Sequence, residues 1–201
     1  MNTKTVQVGI IALLVIAMIA AVTIFLSKPD ALRGTAYNAP YPHAPAIGLT
    51  QSDGRVFRLE DQKGKIILLF FGYTSCTDVC PTTMAELKLV MDEIGENANS
   101  VNVVFITVDP ERDTPEKVQK YASYFNPDFI GLSGSIDQLQ KIWNDYGVFR
   151  QIVPAENSAT GYSVDHTARI TLIDMNGDLR LSYGYQTPVD DIAHDIKLLL
   201  K

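Results

Sequence analysis

Lys65 to Gly95 reads KIILLFFGYTSCTDVCPTTMAELKLVMDEIG, and a change of period inside it decides the fold class. Lys65–Tyr73 is an almost unbroken apolar run, the pattern of a strand buried on both faces. From Pro81 to Ile94 the period becomes helical: Met84, Leu87, Met91 and Ile94 share one face, Pro81 suits a first helical position and Gly95 an exit. Cys76 and Cys80 occupy the join. That is the carboxyl end of a central strand, where open α/β sheets place their sites.

Outward from this unit the same alternation continues. Val101–Val108 is a second buried strand. Thr114 and Pro115 supply a cap and first turn for a helix whose stripe is Val118, Tyr121, Ala122 and Phe125. Ser135 and Gln138 have the spacing of a capping box ahead of Leu139, Ile142, Trp143 and Tyr146. Ala168–Asp174 and Leu179–Tyr183 flank Asn176-Gly177, the strongest short hairpin signal. Thr187-Pro188 opens a last helix. Strand, helix, strand, helix, short strand, helix, hairpin, helix predicts an α/β fold, a thioredoxin-like mixed sheet flanked by helices. The piece between Val148 and His166 is an insertion in that order, irregular or hairpin.

The chain's 201 residues hold one such domain and an appendage. Val8–Leu26 is 19 residues without a charge. At 1.5 Å per residue it reaches ~28 Å, about the thickness of a bilayer core. It exceeds a signal-peptide core and lacks a following small-x-small cleavage site, so residues 1–27 are expected to be an uncleaved transmembrane anchor. Pro29, Pro40, Pro42 and Pro45 make 28–46 an expected extended tether, and 47–201 the expected domain. An anchor starting at about residue 8 leaves no room for an Arg-rich transit peptide. That favours a bacterial inner membrane, with the domain on the periplasmic side. Beyond the anchor lie 16 basic and 23 acidic residues, a formal charge of −7, so no nucleic-acid partner is expected.

Two thiols near a helix start favour thiolate, the form that acts as nucleophile or metal ligand. If both lay on helix, their Cα atoms would be ~6 Å apart, a separation that suits a shared ion and permits a disulfide. The spacing alone supports metal and redox readings equally. Of the three histidines, His43 in the proline-rich stretch and His194 on the polar side of the last helix read as surface residues. His166, at a strand entrance, is the candidate third donor. A peroxidase motif is absent, because Tyr73 stands where its proline would be.

Three blocks, FFGYTSCTDVCPTTMAEL, Val108–Thr114 and Tyr162–Thr167 followed by LeuIleAsp before AsnGly, together resemble the SCO/SenC family. The resemblance covers most of 47–200. It implies a thioredoxin-like fold and copper, as Cu(I) and Cu(II), bound by Cys76, Cys80 and His166, with Asp165 and Asp78 in outer-shell roles. It also implies a metallochaperone rather than an enzyme, one that helps to assemble the binuclear copper centre of cytochrome c oxidase subunit II and takes copper from a donor protein. Thr77 departs from the family, many of whose members carry proline there, which makes the loop less rigid. The alternative is a thiol–disulfide oxidoreductase in which Cys76 and Cys80 form the redox-active pair and His166 has no necessary role.

Overall fold

A computed structural model describes residues 13–18, 31–154 and 161–201. The chain divides into two compact units, Met1–Ala31 and Leu32–Lys201. In the first, residues 13–18 are helical, with Leu13, Leu14 and Ile16 exposed; the rest of the expected span, Val8–Leu26, lies outside the described residues. Among the described residues, no helix is long and apolar enough to cross a membrane.

The second unit is built on one mixed sheet. Its centre is β4 (Ile66–Gly72), all seven residues of which are buried. β4 runs parallel to β5 (Val101–Thr107) and antiparallel to β9 (Arg169–Ile173). With a strand on each side and helices over its faces, it has no solvated face to mark with polar residues, which is why the run is unbroken. β6 (Ile130–Leu132) lies parallel beyond β5, and β10 (Leu179–Gly184) antiparallel beyond β9. The short β1 (Thr35–Ala36) closes the other edge, giving the order β1-β10-β9-β4-β5-β6. This is the thioredoxin-like arrangement expected from the sequence.

Four helices cover it: α1 (Val79–Ile94), α2 (Pro115–Phe125), α3 (Ile136–Asp145) and α4 (Val189–Leu199). Strand alternation sorts them. Phe70 and its register partner Phe105 stack at 6.0 Å between centroids, and Phe105 meets Tyr121 of α2 at 5.2 Å. Phe71, on the opposite face, meets Tyr146 just past α3 at 5.7 Å. α1 packs along α4. The Ser135 hydroxyl accepts the Gln138 N–H while the Gln138 side chain accepts the Ser135 N–H, closing the expected capping box at the start of α3. The Val148–His166 insertion is a separate two-stranded hairpin, β7 (Arg150–Pro154) with β8 (Tyr162–His166). A second hairpin, β2 (Gly48–Thr50) with β3 (Val56–Arg58), precedes β4.

The stretch expected as a tether, 28–46, differs. From Leu32 onward it belongs to the compact unit. The Arg33 and Gly34 N–H groups donate to the buried Asp195 carboxylate at 2.8 to 3.1 Å. Thr35–Ala36 pairs with β10, and Ala44 N–H donates to Gly177. Proline lacks an N–H but keeps its carbonyl, and the strap uses that: the Pro42 carbonyl accepts from Leu179, and the Pro45 carbonyl from the Tyr146 hydroxyl at 2.7 Å. The domain therefore begins about fifteen residues before the expected Ile47.

Candidate metal centre

β4 ends at Gly72, and α1 begins at Val79. Cys76 lies in the loop between them and Cys80 is the second residue of the helix, so the two cysteines do not share a helical face. The helix start has no side-chain cap from Asp78. Its free N–H groups turn to sulfur instead: Cys80 N–H donates to Cys76 Sγ at 3.4 Å, and Asp78 N–H points to the same atom. Together with a hydrogen bond from the Cys80 thiol, the largest contribution, these donors bring the Cys76 pKa down to about 5 against the opposing effect of burial. Cys80 is fully buried. The thiol proton it shares with Cys76, its burial and the Cys76 charge all push its pKa up. Both cysteines are free thiols.

His166 closes β8 and reaches this sulfur pair across 86 residues of sequence, with Nε2 3.5 Å from Cys80 Sγ. Its other nitrogen, Nδ1, stands 3.1 Å from the Thr167 carbonyl. A carbonyl only accepts, so the proton is held at Nδ1 and the Nε2 lone pair faces sulfur. Burial lowers the His166 pKa and keeps the ring neutral. Tyr73 packs edge-on against the ring at 5.8 Å and Phe70 at 6.5 Å. Cys76 and His166 line one open cleft with Tyr73 and Val164.

Of the expected donors, then, Cys80 and His166 are in contact and Cys76 is held beside them by backbone. Among the described residues, no group of three His, Cys, Asp or Glu side chains is drawn tightly enough to enclose an ion, so the three-donor cage is not closed. Asp165 and Asp78 are both exposed. The His166 Nδ1 is met by the Thr167 carbonyl rather than by Asp165, which was expected in an outer-shell role, and Asp78 acts on Cys76 through its N–H rather than its carboxylate. His43 is paired with Asp178 at 3.0 Å and His194 with Asp195 at 3.1 Å, away from the sulfurs.

Two residues of the site are missing from the sequence reading. Gly72 is one: a Cβ there would stand 3.0 Å from Cys80 Sγ and 2.7 Å from the Phe105 ring, so the bare glycine makes the room that sulfur occupies. A glycine ending an otherwise bulky strand is its only sequence signal. The other is Asp113, fully buried, whose carboxylate accepts the Thr74 N–H at 2.9 Å, the Thr74 hydroxyl at 2.5 Å and the Thr107 hydroxyl at 2.8 Å. It ties the cysteine loop to β5.

Fold and site together define a thioredoxin-like domain carrying a dithiol and a neutral imidazole at the carboxyl end of its central strand. The family model described as SCO1/SenC matches residues 36–201, and the chain belongs to that family. It is 36% identical to the SCO2-like protein of Rickettsia prowazekii over 64% of this chain, and it spans 63% of that relative's length. Among solved structures it resembles copper-bound ScoI of Bradyrhizobium japonicum, with TM-score 0.71 and 38% identity over 79% of this chain and 99% of that one. Apo Sco1 of Thermus thermophilus gives TM-score 0.75 and 36% identity over 87% of this chain and all of the other.

Proposed function

We propose that the chain carries copper on Cys76, Cys80 and His166 and supplies it to the binuclear centre of cytochrome c oxidase subunit II. The observation that carries the reading is the 3.5 Å approach of His166 Nε2 to Cys80 Sγ, with Cys76 four residues before. Two soft sulfurs suit Cu(I), and a neutral imidazole keeps Cu(II) acceptable. Cys76, already thiolate at neutral pH and lining the open cleft, is the entry donor. Cys80 releases its proton to solvent as the ion arrives, and the His166 lone pair completes the set. Three protein donors leave a position open, through which an incoming cysteine of the client takes the ion by thiolate exchange. Residues 8–26 anchor the domain to a bacterial membrane, on the face where the oxidase copper centre is assembled.

Titration of the reduced full chain with Cu(I) and Cu(II), followed by metal analysis and optical spectra, is expected to give one ion per chain. His166→Ala is expected to lower affinity about tenfold or more. Normal affinity in that variant overturns the ligand set. One observation favours a second reading, thiol–disulfide exchange with the client: the lowered Cys76 pKa beside a second free thiol. Under that reading His166→Ala leaves the reduction of a dicysteine peptide unchanged.

A further inference from the structure

Val108–Thr114, the second family block, holds neither cysteine nor histidine, yet both ligand-bearing elements are fastened to it. On one side, Asp113 holds Thr74 of the cysteine loop, with Lys117 3.2 Å from the same carboxylate. On the other, it grips the histidine hairpin at both strands. Tyr162 opens β8, and its hydroxyl donates to the buried Asp109 at 2.8 Å. The Arg112 guanidinium lies over the Tyr162 ring at 3.6 Å, donates to the Tyr162 carbonyl at 2.9 Å and pairs with Asp109 at 2.5 Å. On β7, Arg150 is the register partner of His166 itself. Its Nε donates to the Val108 carbonyl at 2.5 Å, and its Nη2 meets both Glu111 carboxylate oxygens at 2.7 and 2.9 Å.

We propose that the 108–114 loop is a brace that sets the sulfur-to-imidazole distance, with Asp109, Glu111, Arg112 and Asp113 as positioning residues for the metal centre. The hairpin carrying His166 is a two-stranded sheet separate from the main one, and such hairpins are marginal without support. The support converges on one short loop, whose other end fixes the cysteines. Arg112 suits the centre of this arrangement because its planar guanidinium stacks and forks at once, which lysine cannot do. The inference rests on reading Cys76, Cys80 and His166 as one donor set, but its geometry is independent of any ion.

Amide hydrogen exchange on the reduced, metal-free full chain tests the brace directly. Tyr162→Leu, which removes the ring and hydroxyl, and Glu111→Gln, on the exposed rim where folding is not at stake, are each expected to speed exchange in β7 and β8 severalfold. β4 and β5 should be unchanged, and Tyr162→Phe, which keeps the ring under Arg112, should lie nearer the parent. Asp113→Asn is expected to speed exchange at 73–80 instead. With copper present, Tyr162→Leu should weaken Cu(II) binding about tenfold and diminish the imidazole nitrogen coupling in its paramagnetic resonance, with the sulfur-to-copper absorption retained. Unchanged hairpin exchange in both Tyr162→Leu and Glu111→Gln overturns the brace even if copper binds. Loss of protection spread equally through β4 and β5 overturns it too. A parent chain that takes no copper, with the exchange pattern as expected, sinks the carrier reading and leaves the brace standing.

Discussion

Cys76 Sγ accepts hydrogen bonds from the Cys80 thiol and from N–H groups at the start of α1, whereas Cys80 is walled in with a thiolate for a neighbour. A group whose pKa is lowered is ionised above that value, so Cys76 should be half thiolate at pH about 5 and fully so at neutral pH. Iodoacetamide labelling of the reduced chain, followed by peptide mass, should therefore modify Cys76 at a rate that is flat near pH 7 and falls with acid, sparing Cys80. Cys80→Ala removes the principal donor and should move the midpoint upward; Cys80→Ser keeps a donor and should move it less. A midpoint unmoved by Cys80→Ala would place the cause in the backbone alone. Gly72→Ala forces a methyl group against Cys80 Sγ and the Phe105 ring. It is expected to cost roughly 1–3 kcal/mol in urea unfolding and to weaken copper binding, because the displaced atom is one of the proposed donors.

Each long element left a periodic trace. The seven buried residues of β4, the stripes of α2 and α3, and the Asn-Gly turn between β9 and β10 were all legible because burial repeats over several residues or a turn demands a residue type. The strands β2 and β3 were not: each has three residues and one buried side chain, Leu49 and Phe57, too few to show a period. At the site, side-chain groups were legible and backbone groups were not. Cys80 and His166 could be named from spacing and resemblance, while the Thr167 carbonyl and the N–H groups on Cys76 have no residue identity to betray them. Asp113 in a loop reads as a surface acid, and only the fold reveals that it is buried. The capping box of α3 offers an element-scale check. Ser135→Ala removes the hydroxyl that accepts the Gln138 N–H and should lower stability by about 1 kcal/mol in denaturant, without altering copper stoichiometry.

For the whole molecule, the strap from Leu32 to Ala46 decides where the domain can be cut. A chain shortened to start at Leu32 keeps the Arg33 and Gly34 N–H groups on Asp195; one starting at Ile47 strips them, leaving the fully buried carboxylate with Tyr183 and His194. It also uncovers the β10 edge. Hydrogen bonds to a buried charge are worth roughly 1.5–3 kcal/mol each, so the shorter form should unfold at least several degrees lower in thermal melts and aggregate through its open strand. Equal melting temperatures for the two forms would show the strap to be dispensable.

Because 86 residues separate Cys80 from His166, the order of synthesis matters. A chain emerging from the ribosome shows both thiols before the imidazole exists, and the β7–β8 hairpin must then close against the rest of the domain to bring that imidazole in. On the proposed donor set, a half-finished or wrongly paired chain offers an ion only the two sulfurs and is expected to release it more readily. On that donor set, completing the fold and becoming able to hold the ion are one event.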